Sequence, residues 1–517
     1  MIDLPADFDV LLLDGDVVDG SGAAPRRADV GVRGGAIAAV GDLSRASARR
    51  VLDCAGLCVA PGFIDVHSHS DVYVLVRPDA PSKIRQGVTT EIVGQCGASA
   101  APLVGGAALP SDWAAHPCPR PWRTMREYRE ALAARDPLMH VVCLTGHRNL
   151  RMAVMGMDAR PATADETARM TRLLADSLAE GSAGLSTGLL YQPACHALPE
   201  EVRALAAECA RQGGRYATHL RSEGANLLEA LDEALDTARA TGVALQISHF
   251  KTSGRANWHK LEDAIARLEA ARAEGVRVHA DRYPYTAAGT ELDVILPEWA
   301  ERGARADILG RLADPATRRR IADEMTAERE PGYWATVVVG GTWCAANAPL
   351  RGRDIASIAD AWRCPPAEAV LRIVEADDLR TGAFFFGMSE ANLRRIYSLP
   401  WVMVGSDASL RAPEGALSDD HPHPRAYGTF PRFLALCRDE GLMPLGEAVR
   451  RLTSLPAQAF GLKGRGLVRA GGVADLCAFD PIAVKDAAAY TAPHQFPVGI
   501  RHVLAAGRVA FQKTSAI

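Results

Sequence analysis

Eight short apolar segments recur along the middle of the chain: GFIDVHSH, TTEIVGQCG, HVVCLTGH, AGLSTGLLY, RYATHLRSE, ALQISHFK, VRVHADRYPY and WVMVGSDAS. Helix-like stretches separate several of them. Glu166–Leu178, Pro199–Gln212 and Leu261–Ala273 carry apolar residues three and four apart, the period of a helix buried along one side. Strands that alternate with helices pair in parallel through right-handed crossovers. Eight such units predict an α/β fold built on a (β/α)8, TIM-like barrel; the alternative is an open doubly wound sheet.

The two ends of the chain have a different texture. DVLLLDGDVVDGSG and ADVGVRGGAIAAVGDL near the start match GLVRAGGVADLCAFDP and GIRHVLAAGRVAFQ near the end, all short apolar runs broken by Gly and Asp. Gly34-Gly35 sits where a tight hairpin needs positive φ. These segments predict one small discontinuous β-sandwich domain from residues 1–60 and 465–517, with the barrel, 61–464, inserted into it. Residues 290–346 break the strand–helix rhythm after the seventh strand. They read as an insertion, either overhanging the site or making a surface excursion with no part in the chemistry.

Composition narrows the function. The 517 residues are 48% hydrophobic, ample for a large core, and their net charge is −4 with the signs well mixed. No basic block points to nucleic acid. No apolar run reaches the roughly 18 residues of a membrane span. The opening, MIDLPADFDV, carries acids where a secretory signal carries bases, so a cytoplasmic location is expected. Eleven scattered cysteines without a C-x-x-C pair read as reduced thiols rather than a disulfide framework.

His67 and His69 close the first strand, Cys96 the second, His219 the fifth, His249 the sixth and Asp407 the eighth. Each lies at the C-terminal end of its strand, the face on which parallel barrels build active sites. A strand alternates its faces with period two, so Asp65, His67 and His69 are expected to point the same way. Imidazole and thiolate suit Zn²⁺, and Cys96, His219 and His249 make an S, N, N triad with a fourth position for water or substrate. His67 and His69 can hold a second metal, with the Cys96 sulfur bridging. Closure of the barrel brings Asp407 beside the histidine pair, where a carboxylate can ligate weakly or take a proton from water. His196, His259, His494 and His502 fit no such scheme and read as surface or loop residues.

With these residues in place, the chain resembles a known family. PGFIDVHSHSD looks like the first-strand signature of the amidohydrolase superfamily. GQCGASAAP, THLRSEG, ISHFKTSG, GSDASLRAPEG and HPHPRAYGTFPR together resemble the N-acyl-D-amino-acid deacylases (D-aminoacylases), over nearly the whole chain. Many relatives bridge two metals with a carboxylated lysine on the fourth strand. AGLSTGLLYQP has no lysine, and Cys96 is placed to substitute. The resemblance implies one zinc held tightly by Cys96, His219 and His249, and a weaker or empty second site at His67 and His69. It implies Asp407 as general base and then general acid. It also implies Lys251 and Arg425 on the substrate carboxylate, with Tyr191 and Tyr283 contributing; Tyr285 competes with Tyr283 for that place.

The expectation is zinc-dependent hydrolysis of N-acyl-D-amino acids, small-molecule substrates, to a carboxylate and a free D-amino acid. Alternatives are a cyclic-amide hydrolase of the hydantoinase or dihydroorotase kind, a dipeptidase, or an inactive barrel scaffold. Homo-oligomerisation stays open, as do the side-chain and acyl preferences.

Overall fold

In the computed structural model, which describes residues 6–116, 121–327 and 329–513, all eight apolar segments contain strands. We label them β1 (Phe63–Asp65), β2 (Val88–Val93), β3 (His140–Cys143 and Thr145–Gly146), β4 (Gly184–Gly188), β5 (Arg215–His219), β6 (Ala244–Ile247), β7 (Val278–Arg282) and β8 (Val402–Val404). Every neighbouring pair from β1 to β8 is parallel and in chain order. The last neighbour meets the first: Ser68 and Ala408 form a parallel bridge, and the Asp407 N–H donates to the His67 carbonyl at 2.8 Å. That cyclic order is the one a (β/α)8 barrel requires; an open sheet would leave two free edges.

Ile64, Val66, Ile92, Leu144, Ala217 and Met403 belong to one buried cluster of the barrel strands. Gly405 lets β8 approach β1, since a Cβ there would lie 2.6 Å from that of His67. The helices follow their sequence pattern. Ala164–Ala179 starts with a capping box: Thr163 Oγ1 accepts from the Glu166 N–H at 3.3 Å, and the Glu166 carboxylate accepts from the Thr163 N–H at 2.8 Å. Pro199–Arg211 opens on proline at its first position, where a missing N–H is harmless, and Leu261–Ala273 has the predicted bounds.

Both ends of the chain build one branched eight-stranded sheet. Cys58–Pro61 pairs antiparallel with Leu476–Phe479, which continues into Ile500–Ala505 and Arg508–Gln512. Phe8–Val17 takes three partners and turns the sheet around Val10, Leu12, Val30, Leu52, Leu476 and Leu504. Gly34 and Gly35 make the predicted hairpin at φ +58° and +79°. Residues 1–5 and 514–517, which fall within the end segments and the acidic opening, lie outside the described residues.

Between β7 and β8 the chain forms a three-stranded antiparallel sheet of Ala287–Glu291, Val337–Val339 and Gly382–Phe386. Helices Arg305–Ala313, Pro315–Ala327, Ile355–Trp362 and Pro366–Ala376 accompany it, and a separate buried core runs from Leu292 to Ala383. The sequence reading placed this excursion at residues 290–346, whereas the sheet and core extend to Phe386. The later half has ordinary amphipathic helices, which look the same in sequence whether they cover a barrel or their own core.

No helix among the described residues is long and apolar enough to cross a membrane. The ten described cysteines are all free.

Candidate metal centre and substrate cavity

The C-terminal rim of the strands opens into a cavity of about 2010 Å³, lined by His69, Cys96, His219, His249 and Asp407 among others. His67 lies just beneath, fully buried. One donor atom each from His67, Cys96, His249 and Asp407 fall within 4.8 Å of one another, and His219, Glu223 and His249 form a second such group. Cys96 Sγ lies 3.3 Å from His67 Nε2 and 3.5 Å from His249 Nε2. His69 Nε2 lies 3.1 Å from Asp407 Oδ1. The His219 and His249 rings meet edge to face at 4.4 Å. Six side chains from five strand ends thus converge. The grouping differs from the one read in sequence, because His249 belongs to both sets and His69 turns toward Asp407.

The backbone supports this convergence at a cost. Cys96, His249 and Asp407 adopt φ of +52°, +36° and +49°. Left-handed backbone at a non-glycine residue costs of order 1–3 kcal/mol, and it persists where the surroundings over-determine it, most often at functional sites.

The charges are complementary. Burial pushes the Cys96 thiol up, but the His67 and His249 imidazoles outweigh it and hold the thiol well below its usual range. Burial also raises the Asp407 carboxyl, and Arg425, His249 and His69 more than reverse this. Burial lowers the His249 imidazole, as does Lys251, yet Glu223, Asp407 and Cys96 raise it to about 9. Thiolate, carboxylate and imidazoles brought together at one rim form the donor set that suits a borderline-soft divalent ion. A further observation fits the same group: both ring nitrogens of His219 are buried with no hydrogen-bond partner among the described residues.

Two residues that orient this set were missed in the sequence. Asp281, at the end of β7, lies 3.3 Å from His67 Nδ1 and accepts the His249 N–H at 2.9 Å, which leaves His67 Nε2 facing Cys96. Its signal was available, since it occupies the same strand-end position as the proposed ligands. Glu223, four residues after His219, pairs with Lys251 and lies 2.8 Å from His249 Nδ1.

Asp65 departs from its expected place. The extended strand stops there, and its carboxylate turns away from His67 and His69 to the fully buried Lys83, whose Nζ is 2.7 Å away. It also accepts the N–H groups of His67 and Ser406 at 3.2 and 2.8 Å. A buried ammonium and two backbone donors outcompete the strand's alternation of faces.

The residues expected on a substrate carboxylate also gather at the cavity. Lys251 Nζ lies 2.9 Å from His249 Nδ1, Arg425 Nη1 lies 2.8 Å from Asp407 Oδ2, and the Tyr191 ring packs 4.9 Å from that of His219. The Arg425 guanidinium lies 4.6 Å from the centre of the Tyr283 ring. Burial pushes the Tyr283 phenol up, and Lys251, Arg282 and Arg425 around it bring it below its usual value. The Tyr283 hydroxyl and Arg425 Nε are buried donors with no hydrogen-bond partner among the described residues. Tyr285 points elsewhere, its hydroxyl 3.3 Å from Asp486. Of the histidines set aside, His196 pairs with Gln192, His494 lies in a loop 2.9 Å from the Tyr427 hydroxyl, and His502 is buried in the end sheet. Only His502 departs from the surface or loop place the sequence suggested, because it sits inside the strand Ile500–Ala505.

Comparison with known proteins bears on what such a site does. The sequence profile of the amidohydrolase family matches residues 50–511. The chain belongs to the amidohydrolase family. Within that family it is 39% identical over 512 residues to N-acyl-D-glutamate deacylase of Alcaligenes xylosoxydans xylosoxydans, covering 98% of this chain and 94% of that one. It is 38% identical to the D-aminoacylase of the same organism, covering 98% and 95%. The solved N-acyl-D-glutamate deacylase from Bordetella bronchiseptica, complexed with zinc and a phosphonate mimic of the reaction's tetrahedral intermediate, superimposes with a TM-score of 0.83 at 36% identity, over 98% of both chains.

Proposed function

We propose that this amidohydrolase cleaves the amide bond of N-acyl-D-amino acids, using zinc, to give a carboxylate and a free D-amino acid. The observation that carries the reading is the convergence of one thiol, four imidazoles and Asp407 on a single barrel rim. Relatives named for that reaction, one solved with zinc, support it. Their names span glutamate and unspecified D-amino acids, so the shared reaction carries over and the side-chain preference does not.

Cys96, His219 and His249 would hold the tighter zinc, and His67 and His69 a weaker second position. When bound, zinc supplies Lewis acidity, which polarises a carbonyl and acidifies water. Asp407 takes the proton of the attacking water and returns it to the departing nitrogen, because an amine leaves poorly unless protonated. Arg425 and His69 hold the Asp407 carboxylate in place at 2.8 and 3.1 Å. The substrate α-carboxylate meets Lys251, Arg425, Tyr283 and Tyr191, where the unpartnered Tyr283 hydroxyl and Arg425 Nε provide donors. With carboxylate and carbonyl both fixed, only one enantiomer projects its side chain into the cavity rather than its wall.

The insertion then serves as a cover for the cavity, and the free thiols accord with a cytoplasmic enzyme. The test is turnover of N-acetylated amino acids of both hands, with zinc measured on the same sample. Release of amine from D-substrates alone, tracking zinc content, is the expected result. Equal rates on both enantiomers, or D-specific turnover in zinc-free protein, would overturn it.

A further inference from the structure

The strand Ala287–Glu291 lies at the edge of the insertion's sheet. One side pairs antiparallel with Gly382–Phe386; the other meets no strand among the described residues. An edge of that kind exposes unpaired backbone groups, which folded proteins cover or block. Here two side chains cover it. The Nε2–H of His423 donates to the Ala287 carbonyl at 3.0 Å, and Arg425 Nη2 donates to the Gly289 carbonyl at 3.1 Å. Carbonyls two residues apart leave an antiparallel strand on the same side, so residues 423 and 425, also two apart, stand in for the missing neighbour.

The two side chains are tied to each other as well. His423 Nδ1 accepts the Arg425 backbone N–H at 3.0 Å. A carbonyl can only accept and an N–H can only donate, so the ring carries its proton on Nε2 and both nitrogens are used. The ring is buried, and burial and the neighbouring Arg425 hold it well below its usual pKa, hence neutral. Tyr285, Phe384 and Tyr490 pack edge-on around it at 5.2, 5.3 and 5.0 Å. They come from the segment after β7, from the insertion and from the C-terminal part of the chain, so three regions fix the place of one imidazole. Arg425 reaches Asp407 through its other terminal nitrogen, at 2.8 Å. His423, Arg425 and Gly289 all line the cavity.

Resting on the deacylase reading, which sets Arg425 on the substrate α-carboxylate, the geometry points to His423 as a positioning residue for Arg425. It fixes the start of the helix Arg425–Asp439 to the open edge of the insertion's sheet. The insertion therefore builds one wall of the carboxylate site as well as covering the cavity. His423 acts through Arg425 rather than on the substrate.

The experiment compares the native zinc-loaded enzyme with His423→Phe, which keeps a ring for the three aromatic neighbours and loses both hydrogen bonds. kcat/KM on N-acetyl-D-amino acids should fall at least about 10-fold, the scale of one buried N–H left without an acceptor. In an Arg425→Lys background, which has already given up the fork spanning Asp407 and Gly289, the same substitution should cost much less. A merely structural role would cost as much in both backgrounds, and equal losses overturn the inference. Hydrogen exchange needs no substrate and reads the tether itself. Amides of Ala287–Glu291 should exchange faster in His423→Phe while those of β5 and β6 keep native rates; unchanged exchange along the strand overturns the inference too. His423→Gln keeps a donor at the place of Nε2, loses the acceptor at Nδ1, and serves if the Phe variant does not fold. Its strand exchange should stay near native while kcat/KM still falls, and native kcat/KM in that variant overturns the inference. A native enzyme that turns over no N-acyl-D-amino acid sinks the deacylase reading alone; the tether then stands or falls on exchange.

Discussion

Two buried clusters of charged groups interleave along the segments that follow β1 and β8, and they are finished differently. His69 and Asp407 face the cavity, with His67 just beneath. Ser68, Ser406 and Ala408, alternating with them, face Lys83. The Lys83 ammonium reaches Asp65, Ser68, Ser406 and the Ala408 carbonyl at 2.7, 3.2, 2.9 and 2.9 Å, and both Asp65 oxygens are engaged. In the cavity cluster the nitrogens of His219, Arg425 Nε and the Tyr283 hydroxyl lack hydrogen-bond partners among the described residues. The Lys83 cluster is nearly complete in itself, Glu91 Oε1 being its exception; the cavity cluster is complete only with something added. Burial and charge alone do not mark a site. Unspent donors and acceptors gathered at the lining of a cavity, beside a set of metal-binding side chains, do.

This contrast gives each cluster its own mode of failure. Cys96→Ala should abolish turnover and lower zinc to well under one equivalent by elemental analysis, while the fold, followed by circular dichroism, persists. Full zinc with normal rates would remove Cys96 from the open cluster. Asp407→Asn should lose about 10²–10⁴-fold in kcat, the usual contribution of general acid–base catalysis, with zinc retained.

Lys83→Met attacks the closed cluster and should act on stability. Leaving Asp65 charged and unpaired should cost about 3–5 kcal/mol in chemical denaturation. The double variant Lys83→Met, Asp65→Asn should recover much of that loss. A Lys83→Met protein of native stability would show that the cluster is not the framework described here.

Tyr283→Phe removes one unspent donor. It should raise KM about 10-fold or more with kcat little changed, given 1.5–3 kcal/mol for a hydrogen bond to a charged group. A fall in kcat at constant KM would place Tyr283 in the chemistry instead.

The smallest effect belongs to a third buried cluster, away from the cavity. Glu201 meets His147 at 2.7 Å and also Arg151. Burial raises its carboxyl, and His147 and Arg151 outweigh burial and lower it from 4.5. A depressed carboxyl contributes stability above its unfolded value and loses it as the pH falls through the folded one. Denaturation midpoints should therefore drop below about pH 4.5 more steeply in the native protein than in Glu201→Gln. Parallel acid limbs would contradict the pairing.

The barrel was legible because strand alternation and helical period are local, and the chemistry lay where each strand stopped. All four histidines, Cys96 and Asp407 could be found by position alone. Asp281 occupied an equivalent strand end but fell outside a pattern built on soft ligands. Lys83 could not be seen, because a lysine in a short turn after Ala80 carries no sign of burial, and only the meeting of β1 with β8 surrounds it. The extent of the excursion was hidden for a similar reason: where one core ends and another begins is decided by contacts between distant segments.

The left-handed residues at 96, 249 and 407 bear on how such a chain changes over time. Glycine at any of them relieves the backbone and removes a side chain of the proposed metal centre in the same step. A library selected only for heat resistance should therefore drift toward glycine at these positions, yielding sturdier barrels with no activity. Thermostable homologues that keep Cys, His and Asp there will have found their extra stability elsewhere.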